Sequence, residues 1–271
     1  MHRPRSRFLA LAALAMLLAS QGVSFAQNSP TLDRVVESGK LRVGMSGNQP
    51  PFNAKSRSGE LIGLEVDFAR ALAGSMGAEL DIVTRPFGEL LAALHAGEVD
   101  LVMSGMTINA ERARTTAFVG PYAMAGKSIL TKSTTLAAAV TIADLNKAEL
   151  KLAALENSTS QVFVERQMPM AQLVKIQDYD DGVEKLIAGE IDALVADRPI
   201  CVLSVMRFPN ENLATTTQPL TIEPIGMAAP ANDPLFVSLL QNYVATFEGI
   251  GALEKLRKKW MEDSSWIAAL P

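Results

Sequence analysis

Cysteine, histidine and aromatic residues are all scarce in this sequence of 271 residues. Its one cysteine, Cys201, has no partner within the chain, so the core is expected to be stable without a disulfide. The two histidines, His2 and His95, leave very little for a histidine metal site or a Ser-His-Asp triad. Motifs typical of zinc proteases, phosphate-binding loops and α/β-hydrolases are missing. These absences argue against hydrolases and zinc enzymes, and no metal or cofactor is expected.

Charge and aromatic content argue against a nucleic-acid partner. The 25 basic and 29 acidic residues give a net charge of −4, and no run of lysine or arginine occurs beyond the N-terminus. Two Trp, three Tyr and ten Phe are few for a surface that stacks bases. With 48% hydrophobic and 20% charged residues, the chain is instead expected to fold around an apolar core.

The first 26 residues have the pattern of a cleavable secretory signal peptide. Three arginines within the first seven residues form a positive region, residues 8–19 are apolar, and Ser24-Phe25-Ala26 is a small-x-small cleavage site. The apolar run is shorter than the roughly 20 residues that a membrane-spanning helix needs. No cysteine near the cleavage site could carry a lipid. We therefore expect export to the periplasm, with a mature protein of residues 27–271 that has no membrane anchor.

Helical and strand-like segments alternate along residues 27–271. Three successive units share one pattern: apolar residues at helical spacing end at a glycine, and an apolar, strand-like segment follows. This alternation predicts an α/β fold with parallel strands. Residues 234–260 are expected to be helical, with Asn232 or Asp233 as N-cap. The three units are 31–39 with 41–45, 66–77 with 80–83, and 87–97 with 99–103.

An internal repeat is the most informative feature of the sequence. Residues 94–100 (Leu-His-Ala-Gly-Glu-Val-Asp) match residues 186–192 (Leu-Ile-Ala-Gly-Glu-Ile-Asp) at an offset of 92, and an apolar strand follows each. This period is too long for a solenoid but suits two similar α/β lobes. The same offset places Gly105 opposite Asp197, just past equivalent strand ends, where ligands bind in open α/β sheets. The repeat therefore predicts a cleft with one site on each lobe.

Six motifs follow one another along the chain and resemble those of one family. They are Pro50-Pro51-Phe52, Gly63-Leu64-Glu65-Val66-Asp67, residues 94–100, Ser104-Gly105-Met106-Thr107 through Glu111-Arg112, residues 118–122, and Ala196-Asp197-Arg198-Pro199. In this order the motifs are similar to those of the family 3 extracellular solute-binding proteins, the periplasmic receptors of polar amino-acid ABC transporters. The resemblance covers essentially the whole mature chain.

The resemblance implies a fold and a division of the chain. It implies a two-lobe periplasmic-binding-protein clamshell of type II, with a discontinuous lobe 1 of residues 27–123 and 225–271. Lobe 2 is expected to comprise residues 124–224. Two crossover hinge segments, near 122–126 and 222–226, are expected to connect the lobes.

The resemblance also implies a function. It predicts the periplasmic substrate-binding component of an ABC importer, which closes on a small polar ligand, expected to be an amino acid, and delivers it to an inner-membrane permease. The protein is expected to be a monomer and not an enzyme. A lyase of the cyclohexadienyl dehydratase type is the alternative, because elimination chemistry needs only a positioned acid. Because the sequence ends at Pro271 without a signalling segment, a receptor sensor domain is not expected.

An amino-acid ligand needs donors for its carboxylate and an anion for its ammonium group. By resemblance, Arg112 is the carboxylate clamp and Asp197 the ammonium acceptor. Each residue also has a structural alternative. Arg112 could instead be an exposed arginine in a short helix capped by Asn109, and Asp197 could instead cap the helix that begins near Pro199. Further candidates for these contacts are Ser104, Gly105 and Thr107 in lobe 1, and Ser158, Thr159 and Ser160 at a predicted helix N-terminus in lobe 2.

The pocket for the ligand's side chain departs from the family pattern. Gln49 stands where relatives commonly have a stacking aromatic residue, and Phe52 and Phe87 are expected either to line the pocket or to belong to the core. Glu156 is expected either to face the ligand or to lie at a solvated strand end. Together these residues favour a polar uncharged or basic ligand over an acidic or aromatic one.

Overall fold

Two five-stranded sheets, one in each half of the molecule, form the framework of the protein. The computed structural model describes residues 29–139 and 141–271, so the predicted signal peptide lies outside the described residues. The first sheet has the strand order β5-β1-β6-β13-β7. Its strands are β1 (Lys40–Met45), β5 (Glu79–Thr84), β6 (Leu101–Val102), β7 (Ala117–Ala125) and β13 (Glu223–Ala229). We call this half lobe 1.

The second sheet is built only from the middle of the chain and defines lobe 2. Its strand order is β10-β9-β11-β8-β12. The strands are β8 (Lys127–Thr131), β9 (Lys151–Leu155), β10 (Gln172–Ile176), β11 (Ala193–Asp197) and β12 (Ala214–Thr215). A small sheet of β2 (Asn48–Gln49), β3 (Asn53–Lys55) and β4 (Leu61–Ile62) belongs to lobe 1.

Helices flank both large sheets. Those of lobe 1 are α1 (Pro30–Ser38), α2 (Leu64–Ser75), α3 (Leu90–His95), α8 (Pro234–Gly249) and α9 (Ala252–Arg257). Those of lobe 2 are α4 (Thr134–Ala137), α5 (Thr159–Gln167), α6 (Tyr179–Ile187) and α7 (Arg198–Arg207). Short 3₁₀ or π turns occur at Phe87–Glu89, Arg112–Arg114, Ile142–Asp144, Lys258–Glu262 and Ser265–Ala269. Within the described ranges, every helix is too short or too polar to cross a membrane.

The sequence-based prediction of parallel strands is correct for three strands of each sheet. Strand β1 pairs in parallel with β5 and β6, and β9 pairs in parallel with β10 and β11. The remaining strands, β7, β8, β12 and β13, pair antiparallel. The chain leaves the first sheet at Ala125, enters the second at Lys127, and returns to the first at Glu223.

Apolar side chains of the two lobes pack against each other. Phe87 and Met106 of lobe 1 lie in the same buried cluster as Ala153, Ile176 and Tyr179 of lobe 2. A separate cluster around α2, α8 and the first sheet is confined to lobe 1. Burial of apolar surface between the lobes favours the closed arrangement seen here.

One buried carboxylate, that of Asp233, fixes the start of two helices. Its Oδ1 accepts hydrogen bonds from the Phe236 N–H of α8, at 3.0 Å, and from the Ser29 hydroxyl, at 2.7 Å. Its Oδ2 accepts from the Thr31 N–H in the first turn of α1, at 2.9 Å. Of the two predicted caps of α8, Asn232 and Asp233, it is therefore Asp233 that caps the helix, and the same residue holds the start of α1 against it.

We expect Asp233→Ala to lower the free energy of unfolding by about 2 kcal/mol, because one substitution leaves N–H groups of two helices without acceptors. Asp263→Ala is the matched control, since Asp263 also accepts a backbone N–H, from Ser265, but at an exposed position. Urea unfolding followed by circular dichroism measures both. Equal destabilisation by the two substitutions would contradict the shared-cap interpretation.

Candidate functional site

The candidate site lies between the lobes, where β6 and β11 end. Thr107, in the loop after β6, is buried, and its hydroxyl oxygen is 3.3 Å from that of Thr159 at the start of α5. Asp197 is the last residue of β11. The structure therefore brings together predicted residues that lie far apart in the sequence, with Thr107 on lobe 1 and the other two on lobe 2.

Glu223, which the sequence analysis did not identify, connects the two threonines. Its Oε2 accepts hydrogen bonds from Thr107, at 2.8 Å, and from Thr159, at 2.9 Å. The same oxygen lies 2.9 Å from Nζ of Lys127. Burial alone would raise the pKa of Glu223, but Lys127 and the two hydroxyls outweigh it and lower the pKa. A carboxylate at the first residue of β13 thus bridges the lobes.

Lys127 forms a buried ion pair with Asp197. Its Nζ is 2.6 Å from Oδ1 of Asp197, and the two residues are only 1% and 4% exposed. Asp197 occupies the N-cap position of α7, but its side chain makes no capping hydrogen bond, so the capping alternative does not explain this carboxylate. Burial, together with nearby Glu223, raises the pKa of Asp197, and Lys127 and Arg112 offset part of this effect. Asp197 is therefore already paired with a cation.

Arg112 reaches from lobe 1 toward lobe 2. Its Nη1 donates to the backbone carbonyl of Thr107, at 3.0 Å, and its Nη2 to that of Asn157, at 3.5 Å. The guanidinium lies 5.6 Å from the centre of the Phe87 ring. Asn109 caps this turn as predicted, since its Oδ1 accepts from the Arg112 N–H at 2.8 Å, but the arginine itself is half-buried rather than exposed. Burial lowers its pKa, and Glu223 and Asp197 oppose that shift.

The predicted role of the Gly105 backbone needs correction. Its N–H donates to Oε1 of buried Glu65, at 2.7 Å, so this donor is already taken. Gly105 has φ of +58°, and a Cβ there would lie 2.5 Å from Oε1 of Gln49, so this position favours glycine. Ser104 is likewise structural, because its hydroxyl donates to Ser46 at 3.0 Å. Both residues shape the cleft wall instead of offering free donors.

Gln49 fills space beside this glycine. It is 2% exposed, and within the described residues its Nε2 has no hydrogen-bond partner. Strand β2, which carries Gln49, contacts α6 of lobe 2. A buried amide donor without an acceptor is costly, so this side chain is a candidate for a ligand contact.

The N-terminus of α5 also differs from the prediction. The N–H groups of Ser160 and Gln161 donate to Oγ of Ser158, at 3.1 and 3.2 Å, so Ser158 caps the helix with its own side chain. These backbone groups are therefore not free for a ligand carboxylate. The Thr159 hydroxyl faces the cleft instead, and the serine before the helix was the sequence signal for this cap.

The remaining predicted residues lie in different surroundings. Phe52 is fully buried in the lobe 1 core, whereas Phe87 belongs to the cluster shared by both lobes. Phe52 is thus a core residue and does not line the cleft. Glu156 is half-buried at the end of β9, and its Oε2 accepts from Nε2 of Gln177 at 2.6 Å. Among residues 29–139 and 141–271, no cluster of three or more His, Cys, Asp or Glu side chains could hold a metal ion.

This arrangement of two lobes and a polar cleft agrees with the comparison to known families. Residues 41–263 match the bacterial extracellular solute-binding proteins, family 3. The chain belongs to this family. The resemblance inferred from the six motifs is thereby confirmed.

Individual relatives resemble the chain over most of its length. The L-cystine-binding protein TcyJ of Escherichia coli (strain K12) is 29% identical over 262 residues, 96% of each chain. The cyclohexadienyl dehydratase of Pseudomonas aeruginosa is 27% identical over 253 residues, 93% of each. A candidate binding component of an ABC transporter from Wolinella succinogenes, solved with lysine, has a TM-score of 0.81 at 30% identity and covers 85% of this chain and 99% of that one. The predicted two-lobe, type II fold is confirmed by this structural similarity.

Glu65 gives the cleft wall a measurable pH dependence. It is fully buried and accepts hydrogen bonds from Asn53 Nδ2, at 2.7 Å, from the Gly105 N–H and from the Tyr122 hydroxyl. Burial raises its pKa from the ordinary 4.5 to about 7, although these three donors oppose the shift. The folded protein therefore holds a proton on Glu65 at pH values where the unfolded chain has lost it.

We expect the free energy of unfolding to fall as the pH rises from 5 to 8, by on the order of 3 kcal/mol from this group, because ionising a buried carboxyl is costly. Glu65→Gln should remove this part of the pH dependence. Urea unfolding of both proteins across that range measures it. The same pH profile in the variant and the parent protein would contradict the assignment to Glu65.

Proposed function

We propose that the protein is the periplasmic substrate-binding component of an ABC importer. Its ligand is a small polar molecule with a carboxylate group, an amino acid or a close analogue of one. The observation that carries this proposal is the convergence of Arg112 and Thr107 from lobe 1 with Thr159 from lobe 2. The relatives, which include a binding protein for cystine and an ABC-transporter binding component solved with lysine, support the same class of ligand.

Arg112 is suited to bind the ligand's carboxylate. A guanidinium group has five N–H donors in a planar fork that matches two carboxylate oxygens. The side-chain hydrogen bonds of Arg112 go to two backbone carbonyl oxygens, those of Thr107 and Asn157. Further donors of this half-buried group are therefore available to a ligand, in a cleft where charge-assisted hydrogen bonds are strong.

Closure of the cleft follows from how the chain crosses between the sheets. We place lobe 1 at residues 27–123 and 225–271 and lobe 2 at residues 124–224, with the two crossings as hinges. These boundaries fall inside strands of the first sheet, so the last residues of β7 and the first residues of β13 belong to the hinges. Ligand contacts made by both lobes favour the closed state, since only such contacts differ between the open and closed forms. The signal-peptide pattern of residues 1–26 supports a periplasmic location, from which the closed protein delivers its ligand to an inner-membrane permease.

We expect Arg112→Ala to weaken ligand binding by about 2 to 5 kcal/mol, because it removes the cationic partner of the ligand's carboxylate from a half-buried site. Arg114→Ala is the matched control, since Arg114 lies in the same 3₁₀ turn but is exposed. Calorimetric titration with the ligand found in a thermal-shift screen of amino acids and their oxygen analogues measures both. Unchanged affinity in Arg112→Ala with a normal melting temperature would exclude this arginine from the site.

A lyase of the cyclohexadienyl dehydratase type is the second candidate, and the buried carboxyl of Asp197 is the observation in its favour. Its raised pKa and its contact with Lys127 give the cleft an acid–base pair. We expect no turnover of prephenate or arogenate by the purified protein, as measured by the ultraviolet absorbance of the product. Product formation that Asp197→Asn abolishes would make the protein an enzyme.

A further inference from the structure

A second, mainly apolar cavity lies where the two lobes and both crossings meet, and its lining shares no residue with the candidate site. Its volume is about 450 Å³, which is within the range of small-molecule sites. Lobe 1 contributes Trp260 and Trp266 from its C-terminal turns, and lobe 2 contributes Val202 from α7. The crossings contribute Met124 and Ile222, both exposed, so the cavity opens to solvent.

Two buried N–H groups at the wall of this cavity have no acceptor within the described residues. They are Nε of Arg198, at the start of α7, and Nε1 of Trp266, in the last 3₁₀ turn. The neighbouring Trp260 differs, since its Nε1 donates to Oδ2 of Asp67 at 2.9 Å. An unmet donor in apolar surroundings is costly, so a ligand oxygen that accepts from either group is favoured.

The charge of Arg198 makes an anionic ligand the best match. Its Nη2 donates to the backbone carbonyl of Thr217 at 3.0 Å, and within the described residues this half-buried guanidinium has no ion pair. Glu262 and Asp263 also line the cavity, but both are exposed, where water and salt screen their charge. A carboxylate in the cavity therefore gains a charge-assisted hydrogen bond from Arg198.

Contacts between the lobes join the two walls of the cavity. Leu203 of α7 belongs to one buried cluster with Ala54 and Leu270 of lobe 1. Nη2 of Arg207, also on α7, donates to the backbone carbonyl of Pro271 at 3.0 Å. Rotation of the lobes changes the distance between these walls, so the cavity has its present shape in the closed arrangement. A ligand that fits this shape favours the closed form.

We propose that this cavity binds an apolar monocarboxylate, such as a medium-chain fatty acid, as a second ligand that stabilises the closed protein. The carboxylate accepts from Arg198 and Trp266, and the hydrocarbon chain packs against the apolar wall. Because closure is shared by both sites, the second ligand and the solute in the cleft raise each other's affinity by the same factor. Binding at this cavity does not depend on which solute the cleft takes.

Octanoate, octanol and octylamine test the site on the full mature protein, because they share one chain and differ in the head group. Trp260 and Trp266 are the two tryptophans of the sequence and both line the cavity, so tryptophan fluorescence reports its occupancy. We expect a saturable change with octanoate. Binding of octanol and octylamine should be weaker by about tenfold or more, since neither offers an anion to Arg198.

Variants assign octanoate binding to this cavity, with calorimetric titration as the measurement. Arg198→Met should weaken it by about tenfold or more and remove the preference over octanol. Val202→Phe keeps the arginine but fills the cavity, and should abolish binding; it also serves where Arg198→Met fails to fold. Arg166→Met is the matched control, since Arg166 is an exposed arginine on α5. Arg112→Ala should also leave octanoate binding unchanged, which excludes binding in the cleft.

The link to closure is measured with the solute found in the thermal-shift screen. Saturating octanoate should tighten its binding by about fivefold or more in the parent protein and have no effect in Val202→Phe. Small-angle scattering with octanoate alone should show a smaller radius of gyration than without it, a result that does not require a known solute.

Three results would overturn the inference. The first is unchanged tryptophan fluorescence with octanoate. The second is equal octanoate affinity in the parent protein and in both cavity variants, or loss of binding in Arg112→Ala. The third is octanoate that binds in the cavity without reducing the radius of gyration or tightening solute binding. The proposed function is unaffected by each of them, because it fails only where no amino acid or analogue binds in the cleft.

Discussion

The buried ammonium group of Lys127 is the interaction on which the rest of the cleft depends. It lies at the first residue of β8, where the chain has just entered lobe 2, and holds Asp197 at the end of β11 and Glu223 at the start of β13. Without it, two carboxylates would face each other in a site from which water is largely removed, at a high electrostatic cost. One cation therefore allows strand ends from both sheets to meet.

The topology of the fold explains why these groups converge. The carboxyl ends of β6 and β11 face the same cleft, and α5 begins there, so Thr107, Asp197 and Thr159 come together although each lies on a different element. The two crossings between the sheets add Lys127 and Glu223 at the same place. The residues of the site thus come from strand ends and crossings. When the lobes change their relative position, the residues of each sheet move together as one rigid body.

The sequence predicted the lobes and the strand-end residues but not the internal ion pair. A repeat and six motifs were enough for the two-lobe fold, because both are local patterns of helix, glycine and strand. Lys127 and Glu223 carry no such signal, since their contacts arise from the antiparallel register of β8 with β11 and of β13 with β7. The helix caps illustrate both results. The N-cap rule narrowed the cap of α8 to Asn232 or Asp233, and Asp233 is the cap. The same rule, applied to Ser158, would have shown that two N–H donors at the start of α5, those of Ser160 and Gln161, are taken.

The central claim is that the ammonium group of Lys127 stays paired with the carboxylate of Asp197 whether or not the cleft is closed. The most direct measurement is the distance between Nζ of Lys127 and the carboxylate of Asp197 in a crystal structure of the open, ligand-free protein. We expect this distance to stay within hydrogen-bonding range, near the 2.6 Å of the closed form, because both residues belong to one sheet. A Lys127 side chain turned into solvent, with Asp197 left without a cation, would contradict the account.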